Sequence, residues 1–381
     1  MKKIMLVFGT RPEAIKMAPL VKAIEQAEGL EALVVVTAQH REMLDQVLAL
    51  FEITPSYDLN LMKPGQGLTD ITAGVLCGIE RIVIKEKPDL ILVHGDTTTT
   101  FAGALAAFYQ QVPIGHVEAG LRSGNMLSPF PEEANRRLTG VLTTCHFAPT
   151  PQAKKNLLHE GVGEEDVFVT GNTVIDALKM TVEDDYTFED EALQALLAFE
   201  GRKVLLTTHR RENLGQPMVN IFRAIRKLHD TFEDTHYYFP VHKNPKVRAL
   251  AKEALEDLER VHMIEPLDYA PFVNLINRMD LVLTDSGGLQ EEAPALGKPV
   301  LVLRENTERP EAVDAGTVQL VGNDTERIFE TVYKLFTDDV AYKAMEHAVN
   351  PYGDGNACQR IVQGIQYFFE QGERPADWSK F

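Results

Sequence analysis

Acidic side chains placed just beyond short apolar runs are the first feature of this sequence with chemical content. Asp96 lies in His94-Gly95-Asp96-Thr97, Glu118 in His116-Val117-Glu118-Ala119-Gly120, and Glu132 with Glu133 in Pro129-Phe130-Pro131-Glu132-Glu133. Carboxyls serve as general acids and bases when their environments differ: burial beside apolar walls raises one pKa, and a nearby cation lowers another. Arg136 and His209 are the candidate neighbours. The competing use of the same residues is as helix N-caps and solvated loop acids.

A second group of residues suits an anion. Gly9-Thr10-Arg11-Pro12-Glu13 follows an apolar run, with glycine for a tight turn, proline suited to the first position of a helix, and Arg11 beside the helix N-terminus. This is not the GxGxxG fingerprint, so a nicotinamide cofactor is not expected. The stronger site is Asp285-Ser286-Gly287-Gly288, where two glycines allow close backbone approach and the Ser286 hydroxyl adds a donor. The helix that follows would turn its positive end toward a diphosphate, and Glu292, more than one turn further in, would meet ribose hydroxyls. Cations gather at other run ends: His209-Arg210-Arg211, His242-Lys243, and Arg304 with Arg309. Acids repel a diphosphate, so Asp96, Glu118 and Glu132 are expected to face an uncharged part of the ligand.

Such residues need a scaffold that brings run ends together. Apolar runs at Ile4-Phe8, Leu33-Thr37, Leu90-His94, Pro113-Val117, Phe147-Pro149 and Val167-Thr170 read as buried parallel strands separated by helices. After an acidic connector around Thr181-Glu200 the pattern restarts at Val204-Thr207, Tyr237-Val241, His262-Glu265, Leu281-Thr284, Val300-Leu303 and Val318-Leu320. The expected fold class is therefore α/β, with two Rossmann-like, doubly wound parallel-sheet domains, 1–172 and 173–360, whose ligands lie beyond the carboxyl ends of the strands. The last helix, roughly Cys358-Glu370, either caps the second domain or crosses back to the first.

Composition agrees with this reading. A chain of 381 residues, 44% hydrophobic and 25% charged, has enough apolar material for two cores. Its net charge of -18 argues against nucleic acid as a partner, because that needs clustered surface cations. Cys77, Cys145 and Cys358 are widely separated, without zinc-ligand spacing, so no metal site is expected. The apolar stretch at the start is too short for a signal peptide and no run is long enough to span a bilayer, so the expected location is cytoplasmic. A GxSxG elbow is absent, which disfavours a serine hydrolase.

Taken in order, seven motifs resemble a known family: Gly9-Thr-Arg-Pro-Glu-Ala-Ile-Lys16, His94-Gly-Asp-Thr97, His116-Val-Glu-Ala-Gly-Leu-Arg-Ser123, Pro131-Glu-Glu-Ala-Asn-Arg136, Thr208-His-Arg-Arg-Glu-Asn213, Asp285-Ser-Gly-Gly-Leu-Gln-Glu-Glu292 and Thr307-Glu-Arg-Pro-Glu311. Over nearly its full length the chain resembles the bacterial non-hydrolysing UDP-N-acetylglucosamine 2-epimerases. That resemblance implies a GT-B architecture with the active site between the domains, a homodimer, no metal or cofactor, and a terminal helix, 361–381, that returns to the first domain. It also implies interconversion of UDP-GlcNAc and UDP-ManNAc, as a supply of ManNAc for cell-envelope polysaccharide. Carried over by position, Asp96, Glu118 and Glu132 resemble the catalytic acids, with Arg136 and His209 in support. Arg11, Ser286, Gly287, Gly288 and Glu292 match UDP-binding positions, and Lys16, His242 and Arg309 are implied pocket cations. An activating UDP-GlcNAc site near Gln39-His40-Arg41 occurs in some members, but Glu42 and the Lys63-Pro64-Gly65-Gln66-Gly67 loop depart from the strongly activated pattern.

Three other readings share parts of this pattern. A GT-B glycosyltransferase would keep the diphosphate and ribose residues and need an acceptor; a hydrolysing 2-epimerase would release free sugar; a non-catalytic sensor would have no use for three acids together.

Overall fold

The structure is a computed structural model that describes residues 1–37, 41–62 and 65–379, Glu42 by its backbone alone. Gln39 and His40, the residues expected at an activator site, lie outside the described residues, as do Lys63 and Pro64. The chain forms two compact units, Met1–Met180 with Tyr352–Phe381, and Thr181–Pro351.

In the first unit seven parallel strands form one sheet: β1 (Lys2–Phe8), β2 (Leu30–Val36), β3 (Tyr57–Asp58), β4 (Leu90–His94), β5 (Ile114–Val117), β6 (Cys145–Ala148) and β7 (Val167–Val169). Their order is β3-β2-β1-β4-β5-β6-β7, with β1 central and in register Ile4↔Leu90 and Leu6↔Val34. Helices cover the sheet, so the strands read as unbroken apolar runs; Ile4 to Phe8 and Leu90 to Val93 are wholly buried. Order reverses about β1 and β4, which puts the residues after these strands at the switch point where ligands bind in such sheets. Gly9, the residue after β1, has no room for a side chain, because a Cβ there would fall 1.9 Å from Thr37 Oγ1.

The second unit repeats the plan with six parallel strands: β8 (Arg202–Thr207), β9 (Thr235–Pro240), β10 (Val261–Ile264), β11 (Leu281–Thr284), β12 (Val300–Val302) and β13 (Val318–Leu320). They run β10-β9-β8-β11-β12-β13, with Leu281 to Thr284 of β11 beside Val204 to Thr207 of β8. A core of Val204, Leu206, Phe222, Tyr237, Phe239, Leu283, Leu301 and Val332 fills one side of this sheet.

Two-sheet α/β architecture follows the sequence expectation, with informative departures. β3 has no counterpart among the expected strands: it is two residues long, with Tyr57 half-buried and Asp58 exposed, and too short to make an apolar run. The acidic connector contains a short helix, Glu191–Leu197, capped by Asp190. Both unit boundaries differ from the expected 172/173 and 360/361. The helix Thr173–Thr181 carries Asp176, a buried carboxylate that accepts the backbone N–H groups of Ala357 and Cys358 and so fixes the start of the terminal helix, Ala357–Phe368, to the first unit. Along its length that helix packs against the helix Arg11–Gln26. Among the described residues no helix is long and apolar enough to cross a membrane.

Candidate active site

Asp96 stands two residues beyond β4, just before Thr97, whose side chain caps the helix Thr98–Tyr109. Its position is set from the helix Glu132–Leu142: Asn135 Nδ2 donates to the Asp96 carbonyl at 2.9 Å, and Arg136 Nη2 pairs with Asp96 Oδ2. Glu132 opens that helix four residues before Arg136, on the same face. Arg136 is also braced by Glu133, at 3.2 Å. Arg136, one of the two cations expected beside a carboxylate, thus pairs with Asp96, and Glu132 lies one turn from it.

Glu118 follows β5, the strand next to β4, so the two acids stand at adjacent strand ends. Its backbone is left-handed, with φ +62°, a conformation that costs a non-glycine residue roughly 1–3 kcal/mol and persists only where surroundings enforce it. They do: Lys16 Nζ from the helix Arg11–Gln26 pairs with Glu118 Oε2, and Asn172 Nδ2 donates to the same oxygen at 2.8 Å. His94 Nε2 lies 3.9 Å away. Burial drives the His94 pKa down to about 4, with Glu118 opposing, so this imidazole is neutral at physiological pH.

Two buried carboxylates hold the loops around these acids. Glu13 Oε2 accepts the amides of Gly9 and Thr10 at 3.0 and 2.7 Å, while its Oε1 accepts the Thr97 hydroxyl at 2.6 Å. One side chain therefore joins the turn bearing Arg11 to the turn bearing Asp96. Arg11, half-buried at the start of its helix, makes no hydrogen bond or ion pair among the described residues through its guanidinium. Glu133, with no exposed surface, accepts Ser123 N at 2.9 Å, Gly124 N at 3.3 Å and Arg137 Nε at 2.9 Å. Burial works to raise the Glu133 pKa, but the Ser123 amide and the two arginines outweigh it and leave the value lowered. A lowered folded pKa stabilises the protein above the ordinary carboxyl value, near pH 4.3, and the contribution disappears as pH falls through the folded value. Glu133→Gln is thus expected to lower Tm by roughly 4–10 °C at pH 7, from about 1–3 kcal/mol of unsatisfied donors, with the gap from the parent narrowing below about pH 4. Thermal melts across that pH range check it.

In the second unit the organising group is Asp285, immediately after β11 and fully buried. Its Oδ2 accepts from the Thr208 hydroxyl, the His209 and Arg210 amides and Asn213 Nδ2, at 2.9 to 3.0 Å. These bonds fold the segment after β8 into one shape and place His209 Nδ1 3.3 Å from Asp285 Oδ1. The His209 ring stacks on His242 with centroids 5.4 Å apart. Partial burial pulls the His209 pKa down; Asp285 opposes this, and the ring is mainly neutral at physiological pH. A neutral ring with Nδ1 turned to a carboxylate keeps its proton there and presents a basic Nε2.

Ser286, Gly287 and Gly288 follow Asp285, and a Cβ added at Gly287 would meet Arg210 Nη2 at 3.6 Å, while one at Gly288 would meet Glu292 Oε2 at 3.5 Å. These are ordinary contacts, and neither glycine has a positive φ, so packing within the chain does not demand glycine at either place. The following helix, Leu289–Ala295, has only seven residues, and the amides of Gln290, Glu291 and Glu292 already bond back to Gly287 and Gly288. Backbone access at the two glycines therefore matters more than a long helix dipole. Glu292 lies against the half-buried Tyr269, whose hydroxyl is held protonated chiefly by desolvation and then by the Glu292 charge. Arg309 pairs with the buried Glu291, and Arg304 with Glu212 and Glu308; Arg304 holds the Glu308 pKa at about 2.

Of the residues expected from sequence, the structure brings Asp96, Arg136, Glu118 and Lys16 together in the first unit, and His209, His242, Ser286, Gly287 and Gly288 in the second. Lys16 and Arg309, expected as pocket cations, each face a carboxylate of their own unit. Sequence reasoning missed Glu13, Asn172 and Asp285 as the groups that hold the others; a polar residue directly following an apolar run was the signal available for Asp285, while Asn172 stands two residues past such a run and Glu13 lies inside a helix. Among the described residues no group of three or more His, Cys, Asp or Glu side chains is arranged to hold a metal ion.

Residues 22–366 match the family model described as UDP-N-acetylglucosamine 2-epimerase. The UDP-N-acetylglucosamine 2-epimerase of Bacillus subtilis is 55% identical over 367 residues, covering 96% of each chain. A structure of the S. aureus protein with UDP superposes with TM-score 0.89 at 53% identity over all of both chains. The UDP-GlcNAc 2-epimerase of Neisseria meningitidis, bound to UDP-GlcNAc, gives TM-score 0.86 at 50% identity over 96% of this chain and all of its own. With this similarity running along both units, the chain belongs to the UDP-N-acetylglucosamine 2-epimerase family.

Proposed function

We propose that this chain interconverts UDP-GlcNAc and UDP-ManNAc by anti elimination and re-addition of UDP. The carrying observation is that Asp96 and Glu118 stand at adjacent strand ends, each held against its own cation. The C2 proton of the sugar has no adjacent carbonyl to acidify it, so direct removal and return at C2 would be very costly. Coupling removes that obstacle: a carboxylate takes the C2 proton as the C1–O bond breaks, and UDP leaves with the bonding electrons. The products are 2-acetamidoglucal and UDP. Re-addition of UDP at C1, with a proton delivered to the opposite face of C2, gives the other epimer.

In this reading Asp96, Glu118 and Glu132 handle the two protons, with Arg136 and His209 in support. Ser286 and the bare backbone of Gly287 and Gly288 take the diphosphate, with Arg11, and Glu292 takes the ribose. Lys16, His242 and Arg309 act near the charged part of the ligand, Lys16 and Arg309 through the carboxylates they face. The product supplies ManNAc for cell-envelope polysaccharide from the cytoplasm. An apolar patch of Ile84, Phe108, Tyr109, Leu138 and Val141, all strongly exposed on neighbouring helices of the first unit, supports assembly as a homodimer. Sedimentation at twice the chain mass is expected.

Purified protein supplied with UDP-GlcNAc alone in deuterated water tests the reaction. Deuterium at C2 of both epimers is expected. Release of free sugar would make it a hydrolysing enzyme, and no turnover would leave a transferase or sensor.

A further inference from the structure

We infer that Asn172 is a positioning residue for the reaction: its side-chain amide fixes the direction of the Glu118 carboxylate and ties it to the segment through which the chain re-enters the first unit. This rests on Glu118 acting on the sugar, as proposed above, and goes beyond it in assigning what aims that acid.

Asn172 lies just past β7, only 3% exposed. Its Oδ1 accepts the Val174 amide at 3.2 Å, which sets the orientation of the side chain and turns Nδ2 toward Glu118 Oε2 at 2.8 Å. Lys16 reaches that oxygen as well, but on a long flexible stem that supplies charge without direction. The short amide, held at its other end, supplies direction. With Oε2 fixed by both, Oε1 points toward Gly95, lying 3.7 Å from where a Cβ on that residue would stand, and the next residue is Asp96. A left-handed Glu118 needs such over-determination.

The backbone of Asn172 is held as firmly as its side chain. Its N–H donates to Tyr352 O at 2.7 Å, and a Cβ at Gly171 would come within 3.2 Å of Gly353 Cα. Gly171 and Gly353 both have positive φ, +86° and +137°, so the outgoing and returning segments touch backbone to backbone. A shift of Tyr352 therefore reaches Glu118 through one residue. Among the described residues, the charged and titratable groups facing Glu118 include Lys16 and the neutral His94 and His116.

Asn172→Asp keeps the shape, replaces the donor with a carboxylate oxygen, and sets like charges against each other. Expected is a fall in kcat of about 100-fold with UDP affinity within about threefold, and an acid limb of the kcat profile displaced upward by roughly one pH unit. Asn172→Ala, which removes the donor and with it the acceptor of the Val174 amide, is expected to lose about tenfold in kcat with Tm lower by a few degrees. Unchanged kcat and pH profile in both variants, or kcat and UDP affinity falling by equal factors, would overturn the inference. A carbon-13 titration of the Glu118 carboxyl, assigned by its loss in Glu118→Gln, gives a reading independent of turnover. If the parent protein does not turn over UDP-GlcNAc, the reaction assignment fails; a Glu118 titration raised in Asn172→Asp still upholds the contact, and an unmoved one refutes it.

Discussion

Replacing Asp96 with asparagine is expected to reduce turnover by roughly a thousandfold or more while UDP affinity stays within about tenfold, the pattern of a group that acts mainly on the transition state. The substitution conserves volume, and of the bonds that position the segment only the Arg136 pair uses the carboxylate: Asn135 Nδ2 donates to the Asp96 carbonyl, and Thr97 both caps its helix and bonds to Glu13. What is lost is an ionisable oxygen beside Arg136, on a side chain that keeps 28% of its surface accessible. An amide cannot take or return the C2 proton. Turnover of UDP-GlcNAc and calorimetric titration with UDP, made on the same preparation, separate the two effects. Parallel loss of both would move Asp96 out of proton transfer and into the nucleotide pocket.

The contrast between legible and hidden features has a physical basis. Buried parallel strands advertise themselves because both faces are covered, so β1, β4, β8 and β11 appear as apolar runs, and the polar residues after them are found by counting. That is how Asp96, Glu118, His209 and Ser286 were reached from sequence. A two-residue edge such as β3 carries no periodic signal. Partnerships are harder to see than positions, because they close over long sequence separations: Lys16 meets Glu118 across 102 residues, and Asp285 meets His209 across 76. A cation such as Arg309, read from sequence at a strand end, gives no sign there of the carboxylate it faces. Unit boundaries suffer in the same way, since the bond from Asp176 to the start of the terminal helix spans the whole second unit.

Asp285→Asn is the second substitution with a large expected effect, and it acts through a proton that the eye would overlook. Four donors crowd Asp285 Oδ2, so an asparagine must place its carbonyl oxygen there and its NH2 at the position of Oδ1. That NH2 faces His209 Nδ1, which must then accept, forcing the ring proton onto Nε2. The segment after β8 keeps its hydrogen bonds, apart from the longer 3.2 Å branch from the His209 amide to Oδ1. Folding should survive, yet His209 would lose the basic nitrogen it presents outward. Turnover is expected to fall by about 100- to 10,000-fold, as when the tautomer of a catalytic imidazole is inverted without loss of geometry. Nitrogen-15 spectra of the His209 ring should show the proton moving from Nδ1 to Nε2, with Tm changed by only a few degrees because the partners of Oδ2 remain satisfied. A moved proton with undiminished turnover would show that His209 contributes shape or stacking on His242, and that proton transfer belongs to the carboxylates of the first unit alone.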